Sequence, residues 1–591
     1  MLNSDDALDE DQLAAAGIAP GERQVVIAPA GTGKTESVAA LVESLVTNGG
    51  VLASQGILIL TFSRAAVSAI RRRLAGKDAA LRATNVRTLD ALAARLISTE
   101  ESAGEPARSF DGRIEQATKV LRRDVVSDEL AVVEHVIVDE VQDVVGVRAE
   151  FVLEILRATR SHAGFTVLGD PQQAIYNFQI KDTGGVTSGQ FLGYLDQQFA
   201  PELRALGTNY RAESEDSRRF ASLGFQLDGL PDRRRIEVVR RELASVTTVG
   251  DVSEMPAFLS KWAPNRTAFL CETNGVALAV RDSLRANGVE AALQSSAEQR
   301  GAAAWVARAV DASKSKMKRS AFVEQWDDTS GRSAADAWRL LKQAERDFKT
   351  GDSLQVARLA RAVALRDVPA ELLEPADADV VVSTVHRSKG LEFDNVLLVN
   401  TGRWLSAEAS NDDASEAYVA LTRSRDRVFA VDQYLDRGLR RDKMSDRWVL
   451  QGREAWQTFG FEIRPADTRT YTDPGRAPDV SQYIRDETRI GDEVDLRLNK
   501  VSSDLSRPVY DVEHRGRRIG VTSEDFGFNL QRRLGSIRKA GRGWPHIQGL
   551  RIDGFETRGC GPELAHPDVL SLWLGVVVTG MARLDWNGED E

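Results

Sequence analysis

At 591 residues the chain is too long for one fold, and at roughly 150 residues per domain it provides for about four compact units. A hydrophobic content of 42% and a charged content of 28% exclude wholesale disorder, and two cysteines, Cys271 and Cys560, exclude a disulfide framework or a clustered zinc or iron-sulfur site. The balance of 77 Lys plus Arg against 88 Asp plus Glu, net charge −11, speaks against a nucleic-acid coat protein working by bulk charge. It leaves a local groove open, because phosphate contacts act over about one Debye length, near 8 Å at physiological salt.

From the amino terminus, Asp5, Asp6, Asp9, Glu10 and Asp11 stand where an export signal would carry basic and apolar regions. Residues 24–28 (QVVIA) predict a strand, PAGTGKT a loop and ESVAALVESLV a helix. The alternation returns in ILILTF (57–62) with SRAAVSAIRRRL, in VEHVIVDE (133–140) and in FTVLGD (165–170), with a short helical insert near 99–130. Apolar runs without polar alternation, separated by helices, read as parallel strands buried on both faces. After Arg211 a second series follows: RTAFLCET (266–273) with GVALAVRDSLRANG, DVVVSTVH (379–386) and FDNVLLVN (393–400), interrupted by an Ala-, Arg- and Lys-rich helical stretch.

Beyond about Arg441 short β-like segments with Gly turns take over: EVDLRLNK, VYDVEHRGRRIGVT and LGVVVTG. The stretch 470–481, rich in Pro, Asp and Thr, reads as a linker, and the basic stretch 532–544 reads as a solvated loop before it reads as a nucleic-acid contact. The longest apolar run, 572–579, is too short to span a bilayer, so no membrane role is expected, and the two cysteines fit a reducing cytoplasm. The expected fold class is α/β. A first lobe takes 1–98 and 131–210, with a small helical insert at 99–130. A second lobe takes 211–291 and 376–440, with a helical insert at 292–375. Residues 441–591 form a linker and a β-rich accessory domain.

Chemistry concentrates first at Ala28-Pro29-Ala30-Gly31-Thr32-Gly33-Lys34-Thr35, where backbone N–H groups at a helix start can cradle phosphates. Lys34 would meet the β/γ-phosphates and Thr35 a Mg²⁺; Ala28 stands where the strict pattern asks for Gly. Asp139 and Glu140 end an apolar strand, where two carboxylates repel unless a cation joins them. Asp139 would hold Mg²⁺ through its water shell, and Glu140 would orient or deprotonate the attacking water.

In order along the chain, the Gln12 element, APAGTGKT, TFSRAA, VRTLDALA, VDEVQD, VLGDPQQAIYNF, TNYRA, TVHRSKGLEFDNV and EAYVALTRSRDRV resemble the motif series of the UvrD/Rep/PcrA group of superfamily 1 helicases, over most of residues 8–430. The resemblance implies two RecA-like P-loop lobes, a 1B-like and a 2B-like insert, ATP with Mg²⁺, and single-stranded DNA and its junctions with duplex as substrate. It also implies roles. Gln12 would read adenine and Tyr210 stack on it; Gln173 would sense the γ-phosphate; Arg211 and Arg423 would reach that phosphate; Glu392 would contact the ribose. An amide suits the adenine edge, and a guanidinium forks onto phosphate oxygens.

For the DNA strand the resemblance points to Phe62, Tyr176, Phe178 and His386, with Arg64 and Arg387 on phosphates, although each aromatic residue fits local packing as well. Phe178 stands for the usual Trp and Gln179 for the usual Arg, and the inserts are short, so translocation is better supported than robust unwinding. Residues 441–591 carry no assignable motif and are left as a surface for a protein partner. Asp495 lacks the lysine partner of a RecB-like nuclease set. Two functions compete: a 3′-to-5′ DNA helicase or translocase in repair, recombination or replication restart, and a DNA-sensing ATPase subunit that regulates a partner nuclease or effector, as in phage defence.

Overall fold

The computed structural model describes residues 8–586 apart from 78–80, 100–106, 108, 124–127, 160–161, 181–183, 295–300, 328–331, 346–350, 366–367, 374–377, 455–456, 470–476, 504–506, 540–542 and 560–571. The chain forms two compact units, Met1–Val249 with Ser388–Ala430, and Gly250–Arg387 with Val431–Glu591. The architecture is α/β with parallel sheets, joined by an antiparallel sheet at the C-terminus.

The first unit is built on a six-stranded sheet of β1 (Arg23–Ile27), β2 (Ile57–Thr61), β3 (Asn85–Thr88), β4 (His135–Val138), β5 (Gly164–Gly169) and β6 (Glu202–Ala205), in the order β3-β2-β4-β5-β1-β6. Every pairing is parallel. All residues of β2, β4 and β5 are buried, as their unbroken Val, Ile and Leu runs require of strands covered on both faces. Side chains alternate between the two covers. Val25, Leu58, Leu60, Val136, Val138 and Val167 pack with Leu92, Leu121, Phe151 and Phe191. Val26, Ile57, Ile59, Ile137 and Leu168 pack with Ala15, Val38, Leu41 and Leu45 on the other face. The carboxyl ends of β1, β4 and β5 therefore stand together along one edge, where parallel sheets place their ligands. The unit also holds the strand Phe393–Val399 and the helix Asn411–Leu421.

In the second unit, Val380–Thr384 pairs in parallel with Thr267–Cys271 on one side and with Ala292–Leu293 on the other. Helices Arg319–Gln325, Ala334–Glu345 and Val356–Ala364 enclose Phe322, Trp338, Leu341 and Leu359, which gives the helical insert its own core. The antiparallel sheet runs in the order Leu439–Asp442, Arg447–Gln451, Thr458–Ile463, Leu572–Asp585, His546–Gly559, Glu493–Leu498, Tyr510–His514, Arg517–Thr522 and Thr468–Arg469. Its apolar face buries Phe461, Tyr510, Phe526, Leu550 and Val578.

Two helices in this region differ from the sequence expectation. Ala477–Glu487 begins inside the stretch expected to be a linker, whose first part, 470–476, lies outside the described residues. Glu524–Lys539 takes in Arg532, Arg533, Arg538 and Lys539, so this part of the basic stretch is helical and not a loop. Val480 with Ile484, and Phe526 with Leu530 and Leu534, repeat every four residues and bury one face each, while Pro478, Gly527 and Gly535 obscure that period in the sequence. The Arg533 guanidinium is held by Asp442 at 3.2 Å and by Thr458 Oγ1 at 2.9 Å.

A buried cation ties the α/β part of the second unit to its antiparallel sheet. Arg281, on helix Asn274–Ala286, is 1% exposed, and its Nη1 donates to Asp553 at 3.0 Å and to Thr579 Oγ1 at 2.7 Å. Its Nη2 reaches the Thr579 carbonyl at 3.1 Å, and Arg285 also binds Asp553. A charge so desolvated is tolerated only because its carboxylate and further acceptors are in place. Among the described residues no helix is long and apolar enough to cross a membrane.

His135, the first residue of β4, is fully buried between the Pro20 carbonyl at 2.8 Å and Thr166 Oγ1 at 3.0 Å. Burial holds its pKa down at about 4, against 6.5 for a free imidazole. The neutral ring therefore favours the folded state fully above about pH 6.5, and that stabilisation is lost as pH falls towards 4, because the unfolded chain takes up the proton first. The shift corresponds to about 3 kcal/mol. Urea unfolding of the wild type should weaken by that order between pH 7 and pH 4 relative to His135→Gln. Parallel pH profiles for the two proteins would refute the assignment.

Candidate active site

The loop after β1 is shaped by two glycines in the left-handed region. Gly31 (φ 82°) and Gly33 (φ 78°) lie so close to other groups that a Cβ would stand 2.5 Å from Asn209 Nδ2 and 2.4 Å from Gln12 Nε2 respectively. The loop is stitched from within by Thr32 Oγ1 to the Pro29 carbonyl (2.9 Å). From the segment after β6 it is held by Asn209 Nδ2 to the Ala30 carbonyl (2.6 Å) and by Tyr210 N to the Gly31 carbonyl (2.8 Å). Helix α1 (Lys34–Thr47) starts inside the motif, so Lys34 and Thr35 occupy its first turn, with Lys34 Nζ donating to the Ala28 carbonyl at 3.1 Å. Free N–H groups at a helix start, a fixed cradle and an ammonium form a site for a polyphosphate.

Asp139 and Glu140 follow β4, and Glu140 adopts φ 57°, a left-handed conformation that a non-glycine residue takes only when its surroundings enforce it. Burial and then the neighbouring Glu140 push the Asp139 carboxyl towards protonation, with Lys34 opposing. Burial acts the same way on Glu140, but Lys34, Lys389 and Arg423 together outweigh it and keep that carboxyl ionised. Lys34 and Arg423 thus act on one carboxylate. Asp139 accepts a hydrogen bond from Glu140 N at 2.9 Å and is destabilised as an anion, which suits it to a divalent cation. Among the described residues no three His, Cys, Asp or Glu side chains cluster as a metal site.

A hydrogen-bonded chain links this centre to the residues around 388–425. Asp170, after β5, accepts from Gln173 Nε2 at 2.9 Å and from the Tyr418 hydroxyl at 3.1 Å. Gln173 Oε1 in turn accepts from Arg423 Nη2 at 3.0 Å, and the Gln173 carbonyl accepts from Lys389 Nζ at 2.6 Å. Arg423 is buried, donates Nε to the Val419 carbonyl at 3.0 Å, and has its pKa lowered to about 10 by burial and by Arg211. Lys389 also pairs with Asp143, a carboxyl that burial drives up to about 6 in spite of that lysine. Glu140 is further held by Gln142 Nε2, whose Oε1 accepts from Asp170 N at 3.0 Å.

Beside this chain Glu392 bridges Arg211 and Arg425, at 2.9 Å for the latter, and burial working against the charge of Arg211 leaves its pKa lowered. Gln12 Nε2 donates to the Thr32 carbonyl at 3.1 Å, and the Tyr210 hydroxyl donates to Asp9 at 2.6 Å while the ring is 53% exposed. Asp9 caps the short helix Glu10–Ala16 and accepts from Gln12 N at 2.7 Å, so one carboxylate orients both residues assigned to the base. Phe62 and Tyr176 contact each other with centroids 5.1 Å apart, and Lys389 Nζ lies 5.2 Å from the Tyr176 ring.

The first unit accordingly gathers Gln12, Lys34, Thr35, Asp139, Glu140, Gln173, Tyr210, Arg211, Glu392 and Arg423, together with Phe62 and Tyr176. His386 and Arg387 belong to the second unit, where Arg387 Nη1 is engaged by the Gln294 carbonyl at 3.1 Å. The side chains of Arg64 and Phe178 lie outside the described residues. Sequence reading overlooked Asp9, Gln142, Asp143, Asp170, Asn209, Lys389 and Tyr418. Lys389 and Asp143 lie inside motifs that were recognised, and only their pairing across 246 positions reveals their part.

Residues 11–179 match the protein family described as an AAA domain, and residues 379–431 match the family described as a UvrD-like helicase C-terminal domain. No curated protein matches the chain.

Lys389→Met should strand a buried carboxylate at Asp143 and lower the unfolding free energy by about 3 kcal/mol in urea titrations. Adding Asp143→Asn should recover much of that loss, whereas simple additivity of the two substitutions would show that the pair does not interact.

Proposed function

Because the chain belongs to the UvrD/Rep type of superfamily 1 helicases, we propose that it hydrolyses ATP to translocate 3′ to 5′ along single-stranded DNA, in repair, recombination or replication restart. The observation that carries this reading is the convergence of Lys34 and Arg423 on Glu140. A terminal phosphate seated there would meet a cation from the loop after β1 and another from the segment after residue 388. Lys34 grips the β/γ-phosphates; Arg423 and Arg211 stabilise the charge that develops on the transferred group. Glu140, kept ionised, orients the attacking water and accepts its proton. Asp139 and Thr35 would hold Mg²⁺, which would supply charge neutralisation at the phosphates. Gln12 and Tyr210 hold the adenine, and Glu392 the ribose.

Coupling to DNA follows from chain geometry. Gln173, bonded to Arg423, and Tyr176, stacked beside Phe62, sit on one short loop after β5. A change in the bond between Gln173 and Arg423 as phosphate is lost moves that loop and with it the aromatic pair, which stacks bases without sequence preference and can release them.

A second reading, a DNA-sensing ATPase that regulates a partner nuclease or effector, is favoured by one observation. The antiparallel sheet beyond residue 431 lies outside both matched segments and buries an apolar face of its own, more than a bare motor requires.

Lys34→Ala and Glu140→Gln should each lower steady-state ATP turnover by orders of magnitude, with Glu140→Gln still binding ATP in equilibrium titrations. Arg423→Ala should impair turnover more than nucleotide affinity. Near-normal turnover in Glu140→Gln would remove the assigned base, and in Arg423→Ala it would defeat the two-sided grip on phosphate.

Oligonucleotides labelled at either end should show net movement towards the 5′ end of the bound strand, and 3′-tailed duplexes should be displaced. ATPase stimulated by single strands without displacement would transfer the assignment to the second reading.

A further inference from the structure

The second unit carries a cluster of guanidinium groups that the nucleotide chemistry does not use. Arg308, on helix Ala304–Ala309, lies with its Cζ 5.8 Å from the centroid of the Phe555 ring. Arg485, on helix Ala477–Glu487, reaches the Ala307 carbonyl at 3.3 Å, adjacent to Arg308. Arg489 follows that helix and donates Nη1 to the carbonyls of Asp486 (3.1 Å) and Thr488 (2.8 Å). All three side chains are exposed. Among the described residues their bonded partners are main-chain carbonyls and a ring, and the neighbouring Asp486 carboxylate is taken by Gln482 at 2.6 Å.

Partial burial and then the charges of Arg485 and Arg489 depress the pKa of Arg308, and both charged groups acting on it are cations. Among the described residues the Asp492 carboxylate beside the cluster is held by the Arg489 backbone N–H at 2.8 Å and not by a guanidinium. Like charges held together in this way are stabilised by an external anion. Guanidinium groups beside a partly buried aromatic ring match phosphate and base in combination.

We propose that Arg308, Arg485 and Arg489, with Phe555, form a binding site for the phosphodiester backbone of DNA on the second unit, separate from the residues assigned to the translocated strand. The site joins the helical insert to the antiparallel sheet, and so gives the region beyond residue 431 a part in holding substrate. The inference rests on DNA being the substrate of the chain.

The test is fluorescence anisotropy of the full chain without nucleotide, over a salt series, on labelled dT oligonucleotides and on 3′-tailed duplexes. Neutralising the cluster by Arg308→Gln, Arg485→Gln and Arg489→Gln together should weaken binding on the order of tenfold and reduce the slope of log affinity against log salt by about 2–3, the release expected from three phosphate contacts. The corresponding triple lysine variant should keep most of the slope. Single Arg489→Gln, checked by its thermal midpoint, should show about a third of the slope change.

A loss confined to tailed duplex places the site on duplex backbone, and a loss on dT places it on the single strand. An unchanged slope on both DNAs overturns the proposal, including the case in which the variant loses only binding to poly-glutamate, which would mark an acidic-protein site. ATPase stimulation by dT in the wild type is measured alongside. Stimulation with an unchanged slope removes this site alone, whereas no stimulation removes the functional reading beneath it.

Discussion

The active site depends on the cost of keeping carboxylates ionised in a buried place. Asp139, Glu140 and Asp143 stand within five positions of one another beside β4, the two aspartates withdrawn from water and Glu140 partly so, and three cations, Lys34, Lys389 and Arg423, act on Glu140. These cations reach the centre from segments far apart in sequence, so the charge balance exists only when the chain is folded around it. Such a cluster stabilises a protein poorly compared with apolar packing, because desolvation consumes most of the attraction. Its retention makes sense as preorganisation for a polyphosphate whose charge and metal ion complete the balance.

The same economy of contacts explains how chemistry at the phosphate can be felt elsewhere. Asp170 collects Gln173, Gln172 and Tyr418, so the loop after β5 cannot shift without disturbing helix Asn411–Leu421, which leads into Arg423. Lys389 binds Asp143 and the Gln173 carbonyl and lies over Tyr176, which couples the buried acids to the aromatic pair with Phe62. Asp9 orients Gln12 and Tyr210, the two residues proposed for the adenine, together.

The second unit is organised by a different device. Arg281 and Arg285 are fixed by Asp553 and Thr579, which anchors the hairpin of His546–Gly559 and Leu572–Asp585 to a helix of the α/β part. A buried guanidinium held by a carboxylate and a threonine fixes orientation more than it adds stability. The sheet is in this way a seated component of the unit, and the Arg308 cluster lies where the helical insert meets it.

Local pattern alone determined the strands β1, β2, β4 and β5, because short unbroken apolar runs between amphipathic helices leave a chain few alternatives to a covered parallel sheet. It also determined the phosphate loop, whose Gly31 and Gly33 take a left-handed backbone that glycine favours, whereas the close approach of Asn209 and Gln12 to them belongs to the tertiary structure. Tertiary structure decided what depends on distant partners. Helices Ala477–Glu487 and Glu524–Lys539 were hidden by Pro and Gly in sequences whose apolar period is short. The pairing of Lys389 with Asp143, of Arg423 with Gln173 and of Arg281 with Asp553 spans hundreds of positions. A charge declares its identity in the sequence, but its partner and its pKa are set by burial and proximity, which exist only once the chain has closed on itself.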